Sequence, residues 1–398
     1  MTAAPVALYV HVPFCVSLCP YCDFVVYAGA SARGARNRVA AFLGALETEL
    51  ELRADALGEA SAPEPLETVY FGGGTPSLLP PEAVARLLAR VRGRFGLVAG
   101  AEVTLEANPG PDERGDARAW RDAGITRLSY GAQSLAADEL RGLGRRHAPE
   151  DVEAAIEEAR SAGIGSIGLD LLYDVPSSTE QRWADTLEAA LALRPDHLSL
   201  YALTLDDPEA EGLAGPDGDH LPTTAGARRW RDRARPQQDD DRAAAQYRHA
   251  VERLAADGWH GYEISNWARP GHESRHNLVY WERRPYEAIG PGAHAFDGAT
   301  RRWNAARLDA YLAALGGPTP KLPPGGSERL DPETAVAESL ILALRTDRGV
   351  PATMANEPPL EGVAPWADAS GLLARDGDRL VLTTRGRLLS NEVFSRLL

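Results

Sequence analysis

The chain's only cysteines stand together in Cys15-Val-Ser-Leu-Cys19-Pro-Tyr-Cys22, at C-x3-C-x2-C spacing, within a run that begins Tyr9-Val-His11-Val-Pro-Phe. Three thiolates on one tight loop hold three corners of an iron–sulfur cube and leave the fourth iron without a protein ligand, whereas four-cysteine sites are closed. An iron with an open position chelates a small molecule. Zinc is the competing reading, because His11 would complete a tetrahedral Cys3His set, and spacing alone does not separate the two. Plain buried thiols would not need to cluster in a chain with no other cysteine.

An odd, clustered set of cysteines argues against a secreted disulfide scaffold and for a reduced compartment, which an iron–sulfur cluster also needs. No apolar run approaches a membrane span, and the start, Met-Thr-Ala-Ala-Pro, has no signal-peptide pattern. A soluble, cytoplasmic protein is therefore expected. The net charge of −15 disfavours sequence-independent binding to nucleic acid, which relies on basic surface.

Short apolar runs alternate with helical patterns through the first half of the chain. Strands are predicted over residues 7–12, 68–71, 102–106, 126–130, 166–173 and 197–202, with amphipathic helices between them. This pattern argues for an α/β fold with parallel strands, a partial (β/α)6 TIM-like barrel. In such barrels functional residues gather where strands end. Here the cysteines follow the first strand, Gly72-Gly73-Gly74-Thr75 the second, Glu106 ends the third, Gln133 follows the fourth, and Asp170 lies within the fifth. Residues 1–205 are thus read as the core. Residues 206–316 are read as an insertion and flanking segment, whose polar start, 206–241, is expected to be a surface loop. A last strand is expected at Tyr262–Trp267, and a Gly- and aromatic-rich stretch at His272–Phe296. The Pro/Gly-rich residues 317–326 read as a linker. Residues 327–398 read as a small winged-helix-like α+β module, with a helix near 333–345 and a ribbon near 378–383.

The rim residues suit S-adenosylmethionine (SAM), which offers a carboxylate, an ammonium, a sulfonium and a ribose diol. The consecutive glycines and Thr75 bring backbone groups close to a ligand. Arg145 suits the carboxylate; Glu106, Gln133 and Asp170 suit the ammonium and hydroxyls. Any one of these alone is equally well an ordinary rim ion pair. A second constellation runs through Arg275-His276-Asn277-Leu-Val-Tyr280-Trp281 and Gly290-Pro-Gly-Ala-His294. An imidazole beside aromatic rings can ligate haem iron, although on these grounds alone a structural histidine and a core tryptophan are the stronger reading.

The strings HVPFCxxxCPYCDF, YFGGGTPSLL, EANPG, RLSYGAQS, LGRRH, GLDLLYDVP, YEISNWARPGHESRHNLVYW and IGPGAHA resemble those of the HemW family. These are radical SAM haem chaperones related to oxygen-independent coproporphyrinogen III oxidase. The resemblance spans nearly the whole chain. It implies that Cys15, Cys19 and Cys22 hold a [4Fe-4S] cluster. It places Tyr9, Gly73, Gly74, Thr75, Glu106, Gln133, Arg145 and Asp170 around SAM, and makes His276, within the HNxxYW motif, the candidate for haem. Two departures stand out. The oxidases carry a further cysteine where this chain has Phe24, which points to the chaperone branch. Asp174-Val-Pro176 replaces the commoner Gly-Leu-Pro after the fifth strand. The expected function is a haem chaperone that binds a [4Fe-4S] cluster, SAM and haem and delivers haem to acceptor proteins. A homodimer and a peripheral membrane contact remain open. The alternatives are radical oxidative decarboxylation of coproporphyrinogen III in porphyrin biosynthesis, and a zinc-binding barrel without a redox role.

Overall fold

The computed structural model describes residues 3–29, 38–58, 64–205, 212–215 and 218–398. Strands Ala7–Val12, Leu66–Gly73, Leu97–Ala107, Arg127–Gln133, Ser166–Tyr173 and His197–Ala202 lie side by side in that order, each parallel to the next. They are nearly continuously buried, as in Ala7–Val12, where only Tyr9 is partly exposed. This is the signature of parallel strands covered on both faces. The covering helices bury one stripe each. Pro81–Arg94 turns Val84, Leu87, Leu88 and Val91 inward, and Ala117–Ala123 is started by Asp116, whose carboxylate accepts from the amides of Arg118 at 2.8 Å and Ala119 at 3.1 Å. The strand order has two free ends, so the sheet is an open partial barrel, as the sequence pattern predicts.

The sheet extends further than the six predicted units. Tyr286–Ile289, inside the Gly- and aromatic-rich stretch, is a further parallel strand against Ala7–Val10. Four residues with no alternation carry little strand signal; the partner, far away in sequence, decides the pairing. At the other end the expected last strand is shorter, Asn266–Ala268, and antiparallel to His197–Ser199. His294–Phe296, Thr300–Asn304 and Gly325–Arg329 add an antiparallel ribbon beyond Tyr286–Ile289. The stretch read as a linker therefore ends inside the sheet. A Cβ on Gly326 would stand 2.3 Å from the Trp303 ring, so glycine is what lets this strand close on its neighbour.

Two loops also differ from expectation. Residues 206–211 and 216–217 of the predicted surface loop lie outside the described residues, but the same region contains helix Ala225–Ala234, which packs against the cysteine loop. Asp174 adopts φ +55°, a conformation glycine takes without cost. Its carboxylate accepts from Arg242 Nε at 2.9 Å, an anchor that a glycine there would lack.

The C-terminal module runs helix Pro332–Arg345, strand Val350–Pro351, helix Leu360–Ala369, then strands Leu373–Asp376 and Arg379–Leu382. The last strand lies between the other two, which is the winged-helix order. Leu340, Leu344, Leu360, Val363, Leu373, Leu382 and Val393 form its own core. Arg345 joins it to the barrel through buried Glu263 at 3.0 Å. Among the described residues no helix is long and apolar enough to cross a membrane.

Candidate functional site

The cysteine loop leaves the C-terminal end of the first strand. Phe14–Cys15 pairs with Tyr27–Ala28, which pins both ends of the loop. Thr75 donates its hydroxyl to Cys15 Sγ at 3.3 Å, and Arg145 Nη1 donates to Cys19 Sγ at 3.4 Å. Burial pushes the Cys15 thiol up to about 12 against the opposing Thr75 bond. Burial, then the neighbouring Cys15, also raises Cys22. A positive partner is what would draw these protons off.

His11 does not join the cysteines. Its Nε2 meets the Val25 carbonyl at 2.8 Å and its Nδ1 the Tyr9 hydroxyl at 3.1 Å, so both ring nitrogens are engaged. Among the described residues no three His, Cys, Asp or Glu side chains converge closely enough to hold a single metal ion. The Cys3His zinc reading thus loses its fourth ligand. What remains is three thiols, part-buried, with a guanidinium and a hydroxyl donating to the sulfurs. That donor set fits a cluster with one iron left open.

The glycine turn packs on this loop. Gly73 sits at φ +110°, and a Cβ there would lie 2.5 Å from the His11 ring; one on Gly74 would lie 2.7 Å from the Phe14 carbonyl oxygen. The glycines are therefore needed for close packing of protein on protein, whatever ligand they also meet. Thr75, almost fully buried, accepts from Asn108 Nδ2 at 3.1 Å while donating to Cys15.

The other rim residues form one network. Glu106 accepts from the Tyr70 hydroxyl at 2.7 Å and from the Gly73 amide at 3.0 Å. Burial raises its pKa to about 7, aided by the charge of Asp170 and opposed by those two bonds. Asp170 accepts from Ser129 Oγ at 3.3 Å, and burial raises it too. Gln133 turns at φ +67° where the register shifts against the fifth strand. A Cβ on Gly131 would meet Gln133 Nε2 at 3.0 Å, Arg145 Nη2 at 3.4 Å and Asn108 Oδ1 at 3.5 Å, so these three converge. Arg145 Nη2 donates to the Gly131 carbonyl at 2.6 Å, while its buried Nε has no hydrogen-bond partner among the described residues. Tyr9 stacks loosely on Tyr70, with centroids 6.1 Å apart, at the edge of this network.

Two contributors escaped sequence reading. Asn108 bridges Thr75 and Arg145, and its sequence signal is the Glu106-Ala-Asn-Pro string that follows the third strand. Arg231, on helix Ala225–Ala234, donates to three carbonyls of the cysteine loop: Pro20 at 3.1 Å, Tyr21 at 3.3 Å and Cys22 at 3.0 Å. Nothing local in a polar, arginine-rich stretch marks that residue.

His276 is placed differently from the expectation of a ligand. It is fully buried, with Nδ1 at 2.7 Å from Thr68 Oγ1 and Nε2 at 2.8 Å from the Tyr280 hydroxyl. Burial lowers its pKa to about 3. Helix Arg275–Trp281 turns the imidazole onto strand Leu66–Gly73 and sends Tyr280 and Trp281 towards a cleft of about 360 Å³. Tyr9, Phe24, Asp219 and His294 also line that cleft, and Phe24, from the cysteine loop, is 62% exposed. His294 Nε2 donates to Asp219 Oδ2 at 2.8 Å, and His220 Nδ1 lies 2.9 Å from Oδ1. Burial pushes the Asp219 carboxyl up, but the two imidazoles outweigh it and hold it well below the usual range.

The Radical SAM superfamily profile matches residues 9–190, and the HemN C-terminal domain profile matches residues 330–389. The superfamily brings with it a [4Fe-4S] cluster and SAM. The heme chaperone HemW of Mycobacterium tuberculosis (strain H37Rv) is 40% identical over 398 residues, covering 100% of this chain and 96% of the relative. The heme chaperone HemW of Bacillus subtilis is 31% identical, covering 98% of each. Coproporphyrinogen III oxidase (HemN) from Escherichia coli, described as a radical SAM enzyme, superposes with a TM-score of 0.80 at 23% identity, covering 99% of this chain and 90% of that one. That likeness carries the fold. Full-length identity to curated relatives carries the family: the chain belongs to the HemW heme chaperones of the radical SAM superfamily.

Proposed function

We propose that the protein is a haem chaperone of the cytoplasm, which holds haem in the cleft beside the cysteine loop and delivers it to acceptor proteins. The observation that carries this reading is the cleft itself. It joins aromatic residues of the HNxxYW helix, Tyr280 and Trp281, to Phe24 of the cysteine loop. An open, partly aromatic cleft suits a planar cargo that must leave again. Phe24 also occupies the position where the oxidases bring a further thiol.

Cys15, Cys19 and Cys22 hold the cluster in this reading. The bound cluster supplies a one-electron donor and an open iron that chelates the methionyl end of SAM. Arg145 would supply positive charge to the SAM carboxylate, with Nε the nitrogen that neither Cys19 nor Gly131 takes. Glu106 and the Gly73–Thr75 turn face its ammonium. Burial raises Glu106 to about 7, and a bound ammonium would favour its carboxylate form. Gln133 and Asp170 would take the ribose hydroxyls, and Tyr9 would border the adenosyl group.

The second reading, oxidative decarboxylation of coproporphyrinogen III, is favoured by the fold shared with the oxidase. One anaerobic experiment separates them. The reconstituted protein is assayed in parallel for protoporphyrinogen formation and for haem uptake and transfer to an apo-haemoprotein. Stoichiometric haem binding with transfer and no protoporphyrinogen is expected. Robust protoporphyrinogen formation would overturn the chaperone assignment. Sedimentation of the same sample, with and without anionic vesicles, tests the homodimer and the peripheral membrane contact.

A further inference from the structure

The cleft contains a prepared imidazole that the SAM network does not use. His294 keeps 44% of its side chain exposed, yet its ring is held from two sides. Asp219 accepts from Nε2–H, so the neutral ring carries its lone pair on Nδ1. Trp303, its register partner on the next strand, stacks on the ring with centroids 6.0 Å apart and planes 23° apart. An exposed histidine with no task needs neither partner. A metal-ligating histidine regularly has this outer shell: a carboxylate on the far nitrogen fixes the tautomer and raises the basicity of the near one.

The donors around His294 bear on which metal species would suit it. Both oxygens of Asp219 are already taken, by His294 Nε2 at 2.8 Å and His220 Nδ1 at 2.9 Å, so His294 Nδ1 stands as a single donor and not as part of a cage for a bare cation. The metal must therefore bring its own equatorial donors. A metalloporphyrin brings them and asks the protein for an axial nitrogen and apolar ring surface. Phe24 and Trp281 offer that surface in the same cleft. His276 cannot serve from its present position, because both its nitrogens are engaged inside the core. Its bond to Tyr280 instead holds up the cleft wall.

We infer that the cleft seats an iron porphyrin with His294 Nδ1 as axial ligand, Asp219 as the positioning partner of His294, and Phe24 and Trp281 against the macrocycle. This rests on the reading that the chain takes haem, and it moves the ligand from His276 to His294.

The test is haemin titration of the full-length, cluster-reconstituted protein, followed by the Soret band and by low-temperature EPR. The native protein should show an imidazole-ligated spectrum. His294→Ala should lose it, and added imidazole should restore it. Asp219→Asn should keep the ligand but weaken binding about 10–100-fold, the usual cost of losing an outer-shell partner. His276→Gln should keep the imidazole-ligated spectrum. Cluster absorbance and SAM binding report folding of each variant, and Asp219→Asn carries the test should His294→Ala fail to fold. An unchanged spectrum and affinity in His294→Ala, or loss of the imidazole signature in a folded His276→Gln, would overturn the assignment while leaving haem binding intact. A native protein that takes up no haemin would overturn the haem reading itself.

Discussion

Arg145 Nη1 lies 3.4 Å from the Cys19 sulfur, and the same guanidinium holds the Gly131 carbonyl through Nη2. One side chain thus joins the cysteine loop to the end of the fourth strand. Its third nitrogen, Nε, is buried without a hydrogen-bond partner among the described residues. We predict that Arg145→Met weakens SAM binding by about 10- to 100-fold, since hydrogen bonds to charged groups contribute about 1.5–3 kcal/mol. Arg145→Lys should recover only part of this, because an ammonium keeps the charge but cannot span Cys19 and Gly131 as the guanidinium does. Calorimetric titration of the reconstituted protein with SAM checks both.

Arg231 makes a different prediction, for the cluster's housing. Its removal leaves the Pro20, Tyr21 and Cys22 carbonyls without this donor. Arg231→Ala should destabilise the protein by about 2–4 kcal/mol, in the range for breaking a buried charged network. It should also speed cluster loss in air. Arg231→Lys should restore part of the cluster lifetime, which a purely global loss of stability would not distinguish by charge. Thermal melts and the decay of cluster absorbance provide the readouts.

Glu106 should make the apoprotein less stable as pH rises. Its folded pKa, about 7, exceeds the unfolded value of 4.5. Between those values the unfolded chain has released a proton that the folded chain still holds. Its contribution therefore falls from pH 4.5 to about 7 and is flat above that. Urea melts across this range, compared with Glu106→Gln, isolate the effect. A native-minus-variant stability difference that does not decline would contradict the burial argument. Saturating SAM should flatten the decline, because a bound ammonium stabilises the carboxylate.

His276 has the opposite dependence. Its folded pKa is lowered to about 3 from 6.5, so its contribution is complete above pH 6.5 and is lost as pH falls towards 3. His276→Ala should cost about 3 kcal/mol at neutral pH, since it opens a void and strands the Thr68 and Tyr280 hydroxyls. The penalty should shrink in acid. Denaturation at pH 7.5 and pH 5 checks both statements.

The helix and strand periods of the barrel core were plain in the sequence because each parallel strand is buried on both faces and each helix on one. The clustering of Cys15, Cys19 and Cys22 on one tight loop was equally plain, although their spacing alone left zinc open beside an iron–sulfur cluster. The positions of Glu106 and Gln133 followed from strand ends, and that of Asp170 from its place within the fifth strand. Harder to read were elements whose meaning depends on a distant partner. Tyr286–Ile289 becomes a strand only by lying against Ala7–Val10. The end of the apparent linker becomes a strand only because Gly326 closes on Trp303.

What the sequence determined by itself was therefore the local chemistry: three thiols on one tight loop, and a glycine turn and a carboxylate, Glu106, at the ends of strands. Tertiary structure decided which side chains face outward and which are sealed. Composition makes His11, His276 and His294 equivalent imidazoles among aromatic neighbours. Folding spends both nitrogens of His11 on Tyr9 and Val25, and both of His276 on Thr68 and Tyr280. It leaves His294 exposed and oriented by Asp219 and Trp303. The reason is physical: a buried imidazole must satisfy its polar atoms within the protein, and only the packed chain settles which histidine is buried.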